Sequence, residues 1–453
     1  MNHPLPLQFA ERMRAQLGAE ADAYFAALDE PYQRGIRMNP RKTIDPALVD
    51  GLLESVPWNN LYGHYLSMDS AAGLDPLHEA GAYYIQEPSA MAPVALLNPQ
   101  PGERVLDLCA APGGKTTQIA DALGGDGLIV CNEPVPSRAK ILSRNVERMG
   151  VSNALVVSAD PEKLAPLWRQ AFDAILVDAP CSGEGMFRRH PETRDEWNES
   201  SPEGCAVRQK RILACAVEML RPGGRLAYST CTLNHEENEN VVAWLLSEFS
   251  DLETVPFSMP VNDGRILNAP EGMAHLYPHQ LRGEGHFAAL LHKKGDARSD
   301  LFAPAATRLA PPQKPLLSAY EAFAKPFPGL PRANAQFGDA LLSAPDLPPL
   351  KGVKVLRAGV QLGILKGKVF APDHALAMAL PLSNTIPTLP LTREQALLYQ
   401  SGETLPCPDD LTGYALPTYA GLPLGFGKAS GGQLKNHYPK GLRRPGLRPG
   451  PVF

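Results

Sequence analysis

Residues 105–117 read VLDLCAAPGGKTT. An apolar run ends in Asp107, a turn of small residues follows, and a helical pattern starts near Lys115, which predicts strand, tight loop and helix in succession. Small residues in such a loop let backbone amides come close to a ligand. The rhythm continues outward. GLIVCNE ends in Glu133, ALVVSAD ends in Asp160, and FDAILVDAP carries Asp178. GRLAYSTCT and HFAALLHKK are further apolar runs, and helical patterns such as KTTQIADAL and SRAKILSRNVERMG lie between. This alternation predicts an α/β fold on a doubly wound, mostly parallel sheet, with ligands bound beyond the carboxyl ends of the strands. Asp107, Glu133, Asp160 and Asp178 fall at those ends.

The loop excludes two common ligand classes. A phosphate-binding loop of the G-x-x-x-x-G-K type needs a glycine where Cys109 stands, and no G-x-G-x-x-G is present. Asp107 would also repel a phosphate. S-adenosylmethionine suits the pattern, because it offers a sulfonium cation, an amino acid group, a ribose and an adenine. Cys109, Ala110, Ala111, Pro112, Gly113, Gly114 and Lys115 are the expected cradle. Glu133 can accept from both ribose hydroxyls, and Asp160 from the adenine amino group.

Two cysteines follow successive strands in turns, in DAPCSGEG (178–185) and in STCT (229–232). A lone cysteine is most often an inert buried hydrophobe, but a turn after a strand opens onto the ligand crevice. Carbon-5 of a pyrimidine is a poor nucleophile. A thiolate added at carbon-6 makes carbon-5 enamine-like and able to take a methyl group from a sulfonium. A second group must then remove the carbon-5 proton. Spacing alone does not say whether Cys181 or Cys231 attacks.

DLCAAPGGKTTQIA, DAPCSGEGMFRRHP and YSTCTLNHEENE, with IRMNPRKT and YIQEPSAMAP upstream, resemble the signature blocks of the Nop/Sun family of RNA cytosine-5 methyltransferases over about residues 30–295. The resemblance implies a Rossmann-like class I methyltransferase core. It implies Cys231 as nucleophile, Cys181 in adduct breakdown, and Asp178 at the cytosine edge near the methyl donor. DNA cytosine methyltransferases attack with the Pro-Cys thiol, so reversed roles stand as the internal alternative. QALLYQSGETL and GLPLGFGKASGGQLKNHYPKGLRR resemble the PUA-like RNA-binding module of one branch of bacterial ribosomal RNA methyltransferases. That implies small-subunit ribosomal RNA as substrate. Transfer RNA is the nearest rival, and a non-catalytic RNA-binding assembly factor is a reading of another class.

Five segments are expected: a helical, RNA-binding N-terminal extension (1–86), the methyltransferase domain (87–295), a proline-rich linker (296–318), an α+β subdomain (319–389) and a PUA-like barrel (390–453). The 453 residues carry a net charge of -5, so RNA must be met by local basic stripes rather than by overall charge. Arg37, Lys42, Arg188 and Arg189 are one expected track. Lys428, Lys435, Lys440 and Arg443 are another, in a stretch that has no acidic residue after Asp410 and also holds Arg448. His437 and Tyr438 are available for base stacking. No run of apolar residues is long enough for a membrane span. The seven cysteines form no C-x-x-C pair, so neither a metal nor a disulfide framework is expected. A cytosolic monomer without membrane attachment is the reading.

Overall fold

The computed structural model describes residues 3–59, 61–296, 309–383 and 385–444. Much of the expected linker and Arg448 lie outside those residues.

The N-terminal region opens with helices α1 (Leu7–Leu17) and α2 (Ala21–Asp29). It then departs from the helical expectation. Strands β1 (Arg34–Met38), β2 (Leu52–Ser55), β3 (Gly63–Leu66) and β4 (Tyr83–Ile85) make an antiparallel sheet in the order β2-β3-β1-β4, with the short helix α3 (Pro76–Glu79) beside it. GIRMNPRKT (35–43) reads as a short strand-like run and contains most of β1, whereas β2, β3 and β4, three or four residues long, are too short for alternation to show in the sequence.

The central domain follows from α4 (Ala92–Leu97) in a regular series: β5 (Arg104–Asp107), α5 (Gly114–Leu123), β6 (Leu128–Asn132), α6 (Pro136–Arg148), β7 (Ala154–Ser158), α7 (Pro161–Leu164) and β8 (Phe172–Asp178). It continues with α8 (Ser201–Met219), β9 (Leu220–Thr230), α9 (Glu239–Glu248), β10 (Leu252–Thr254), β11 (Phe257–Pro260), β12 (Ile266–Ala269), β13 (Met273–Leu276) and β14 (His286–Lys293). Every residue of β6 and β7 is buried, as expected of parallel strands covered on both faces. Val130 and Val157 pack on one face with α8 and Trp168. Ile129 and Val156 pack on the other, against Ile119 of α5 and Leu142 of α6.

Five strands are parallel, in the order β9-β8-β5-β6-β7. The chain therefore reverses its direction of travel at β5, and the crevice between the β5 and β8 ends is where such sheets bind ligands. Antiparallel β14, β10 and β13 extend one edge.

The remainder consists of α10 (Lys314–Ala324), β15 (Ala335–Phe337), β16 (Ala340–Ser343), β17 (Lys354–Ala358), β18 (Val360–Lys366), β19 (Val369–Pro372) and α11 (His374–Ala379). Then come β20 (Thr388–Pro390), α12 (Arg393–Ser401), β21 (Leu405–Pro406), β22 (Gly413–Tyr419), β23 (Leu422–Pro423), β24 (Gly427–Ser430) and β25 (Gln433–Asn436). Strand β17 pairs with β7 and covers the other edge of the central sheet. The final six-stranded sheet packs on the N-terminal one: Tyr399, Leu405, Leu424 and Tyr438 share a core with Ile36, Leu66, Leu77 and Tyr83.

Candidate active site

Two adjoining cavities open at the β5/β8 switch point, of about 550 and 370 Å³. They share Cys109, Ala111 and Asp178 as walls. The larger is lined also by Glu133, Val135, Arg138, Asp160, Arg208 and both turn cysteines. The smaller is lined by Asp107, Ala110, Pro112, Gly114, Lys115, Tyr84, Arg189 and His190. The sequence-derived site residues thus come together around one crevice, with Gly113 setting the helix start behind them. Its φ of +115° favours glycine, and a Cβ there would press on Leu142 at 3.2 Å.

Asp107 is fully buried. Its Oδ2 accepts from the Thr116 hydroxyl at 2.6 Å, while Oδ1 has no hydrogen-bond partner. Burial pushes its pKa up to about 7. Glu133 accepts from the Val135 amide at 2.9 Å and pairs with Arg138 at 3.4 Å. Asp160 caps α7 through the Glu162 amide at 2.9 Å. Asp178 accepts from the Lys115 ammonium at 2.8 Å and from the Ser229 hydroxyl at 2.7 Å. Burial works against both charges of that pair. Their mutual attraction prevails, holding the Asp178 carboxyl below its ordinary value and the Lys115 ammonium above its own.

Cys181 and Cys231 are free thiols whose sulfurs lie 3.1 Å apart, and the Cys231 amide donates to the Cys181 sulfur at 3.3 Å. The hydrogen bond to Cys231, reinforced by burial, drives the Cys181 thiol well above its ordinary pKa. The loops that carry them are locked together, since Gly185 donates to the Cys231 carbonyl at 2.9 Å. Gly185 also lies flat on Gly285 ahead of β14, where a Cβ would run into the Gly285 carbonyl.

Four sequence profiles match in chain order: the N-terminal domain of 16S rRNA methyltransferase RsmF at 5–88, 16S rRNA methyltransferase RsmB/F at 94–292, the RsmF first C-terminal domain at 322–380 and the RsmF PUA domain at 386–444. The ribosomal RNA small subunit methyltransferase F of Klebsiella pneumoniae is 36% identical over 475 residues, which cover 97% of this chain and 97% of that one. The chain belongs to the ribosomal RNA small subunit methyltransferase F family. The family's Escherichia coli O139:H28 member is 33% identical, with the same coverage. A solved methyltransferase homolog from Pyrococcus horikoshii superposes with a TM-score of 0.54 at 33% identity, covering 63% of this chain and 94% of its own. That likeness is to the Rossmann-like methyltransferase core.

The cofactor that goes with methyltransferase F is S-adenosylmethionine, and the lining fits it. The free Asp107 oxygen suits an ammonium group, and Glu133 and Asp160 put carboxylate acceptors on the wall of the larger cavity.

Three of the basic residues expected to meet RNA are structural instead. Arg37 has no exposed surface: it pairs with Asp121 and donates to Thr117 and to Gln86. Lys42 is buried and donates to the carbonyls of Ala80 at 2.6 Å and Arg148 at 3.0 Å. Arg188 is buried in a fork with Glu284. Arg189, over the Tyr32 ring, stays at the mouth of the smaller cavity. Tyr438 is buried and cannot stack on a base, whereas His437 is exposed. Lys428, Lys435 and Lys440 are exposed, and Arg443 is partly so. Among the described residues no metal-binding group of His, Cys, Asp and Glu occurs, and no helix is long and apolar enough to cross a membrane. Sequence reasoning missed Glu237, Gln209 and His286, which back the thiols and Asp178; nothing in the spacing of HEENE marks one of its carboxylates as buried.

Proposed function

We propose that this chain transfers the methyl group of S-adenosylmethionine to carbon-5 of a cytosine in small-subunit ribosomal RNA, through a covalent adduct of Cys231. The observation that carries this is the pair of free thiols 3.1 Å apart on the wall of the cavity that also holds Glu133, Asp160 and Asp178.

Cys231, its proton passed to solvent, adds its sulfur to carbon-6. The electrons of the carbon-5/carbon-6 double bond move to carbon-5. The bound cofactor supplies the methyl cation equivalent that carbon-5 takes up. Cys181 as thiolate then removes the carbon-5 proton, the double bond re-forms, and the Cys231 sulfur leaves. While Cys231 is free, the contact between the sulfurs keeps the proton on Cys181. Once Cys231 is bonded to carbon that contact is lost, and Cys181 becomes easier to deprotonate. The timing favours release only after attack. Asp178, held by Lys115 and Ser229, presents a carboxylate that accepts from the exocyclic amine of cytosine and repels the oxygen of uracil. The base must be unpaired or flipped out, because a stacked carbon-6 is closed to in-line attack.

The relatives are ribosomal RNA small subunit methyltransferases, which supports ribosomal RNA as substrate. So does a basic face in which Lys428 stands opposite Lys435 on β24 and β25, with Lys440 and Arg443 beyond. Such an enzyme works in the cytosol.

The test is methyl transfer from labelled cofactor to naked small-subunit RNA and to assembled subunits. Cys231→Ala is expected to lose activity by at least about a thousandfold. Cys181→Ala is expected to trap an RNA–protein adduct on a denaturing gel. An adduct in Cys231→Ala instead would reverse the two thiols. Transfer only to transfer RNA would move the substrate, and no transfer at all with RNA still bound would favour an assembly factor.

A further inference from the structure

Six residues after Cys231, in the turn between β9 and α9, Glu237 has no exposed surface. No cation lies within ion-pair distance of it among the described residues. A buried carboxylate without a counter-ion is costly unless donors saturate it. Here four donors do so, all from the two thiol loops and the helix behind them. Oε2 accepts from the Ser182 amide at 3.0 Å and from the Gln209 side chain at 2.8 Å. Oε1 accepts from Asn234 at 2.8 Å and from the Ser182 hydroxyl. Ser182 adjoins Cys181, and its hydroxyl also meets the hydroxyl of Thr232, next to Cys231, at 2.8 Å. Gln209 donates in addition to the carbonyl of Pro180, on the other side of Cys181.

We propose that Glu237 is a positioning residue that clamps the Pro-Cys and Thr-Cys loops in register, so that the Cys181 sulfur stays against that of Cys231. The loops come from strands β8 and β9, and Glu237 is the acceptor through which Ser182, Asn234 and Gln209 are joined. Its removal leaves the Ser182 amide buried without an acceptor and takes one acceptor each from Gln209, Asn234 and the Ser182 hydroxyl, unless the loop moves to find water. The loops relax apart before the fold gives way, because the strands beneath them are fixed by the sheet. The catalytic consequence rests on the function proposed above; the geometric one does not.

The geometry is read by cross-linking. Diamide converts two adjacent thiols to a disulfide and is itself reduced to the hydrazine. Peptide mass mapping then follows the Cys181–Cys231 product in the full chain. Glu237→Ala is expected to slow that cross-link by about tenfold or more, equivalent to about 1.4 kcal/mol. Glu237→Gln, which keeps one acceptor oxygen, and Ser182→Ala, which keeps the carboxylate, are expected to fall between; they carry the test if Glu237→Ala fails to fold. In methyl transfer, the same variants are expected to lower kcat with KM for RNA within about twofold. They should also accumulate the covalent adduct, because release needs Cys181 in place. An unchanged cross-linking rate in folded Glu237→Ala would overturn the clamp, as would absence of the Cys181–Cys231 product in the wild type. Activity lost only in proportion to folded protein, with no adduct, would do the same. If the wild type methylates no RNA, the function proposed above fails while the cross-linking still decides the clamp.

Discussion

Asp107 concentrates the electrostatic cost of this site in one carboxyl group. It ends β5, is sealed from water, and has one oxygen satisfied by Thr116 and the other unpartnered. Burial lifts its pKa from 3.8 to about 7. An acid whose folded pKa is raised binds its proton more tightly when folded. Between about pH 4 and 7 the unfolded chain therefore ionises while the folded chain does not, and stability falls as pH rises, by about 1.4 kcal/mol per unit. Below that window both states are protonated, and above it both are ionised. Asp107→Asn removes the slope, so urea midpoints at pH 5 and pH 7.5 should lie closer together in the variant than in the wild type. Equal spacing would mean that the carboxyl is not held as the geometry shows. An ammonium group beside the free oxygen favours the ionised form, so cofactor affinity should rise toward pH 7 in the wild type and stay flat in the variant.

At the scale of elements, the N-terminal sheet is bolted to the catalytic domain by charges that the sequence displays as if they were on the surface. Arg37 of β1 reaches α5, where Asp121 holds both it and Arg41. Without Arg37 the buried Asp121 keeps only Arg41, and Thr117 and Gln86 lose a donor. Arg37→Ala should therefore cost about 3 kcal/mol in chemical denaturation, below the penalty for a fully stranded charge. It should leave the salt dependence of RNA binding unchanged, since Arg37 meets no solvent. A loss of RNA affinity with full stability would return Arg37 to the RNA track. The contrast shows what a single sequence can reveal. Strand β6 and strand β7 were legible because five consecutive buried residues leave an apolar run. The loop between β5 and α5 was legible because small residues have few other uses there. Arg37 was not, because its partner stands far along the chain and a basic run alone reads as solvated. Glu237 was hidden because its partners Ser182 and Gln209 also stand far along the chain, and the short strands β2, β3 and β4 because they offer too few positions for a period.

Over the whole molecule, the two ends of the chain meet and make one body. Strand β17 pairs with β7 of the central sheet, and the last sheet rests on the first through Tyr399 and Tyr438, with Arg444 on Glu79 and Arg393 on Asp75. This closure consumes Arg444, but it leaves one face unneutralised. Lys428 and Lys435 sit directly opposite on neighbouring strands, a like-charged arrangement that costs stability in a free protein. Partial desolvation of the otherwise exposed His437 ring lowers its pKa, and Lys366, at the tip of the β18–β19 hairpin, is near enough to join Lys428 in lowering it further. Two successive C-terminal sheets thus contribute to one exposed basic surface. Each lysine that neutralises a phosphate releases counter-ions, so the exponent of the salt dependence counts the contacts. Changing Lys366, Lys428 and Lys435 together to Gln should shrink the slope of log K against log salt by about two to three. Cofactor binding at the proposed site beyond β5 should not change. If the slope stays and only the substrate cytosine is chosen less faithfully, these lysines aim the RNA without holding it, and Arg189 at the cavity mouth becomes the residue to change next.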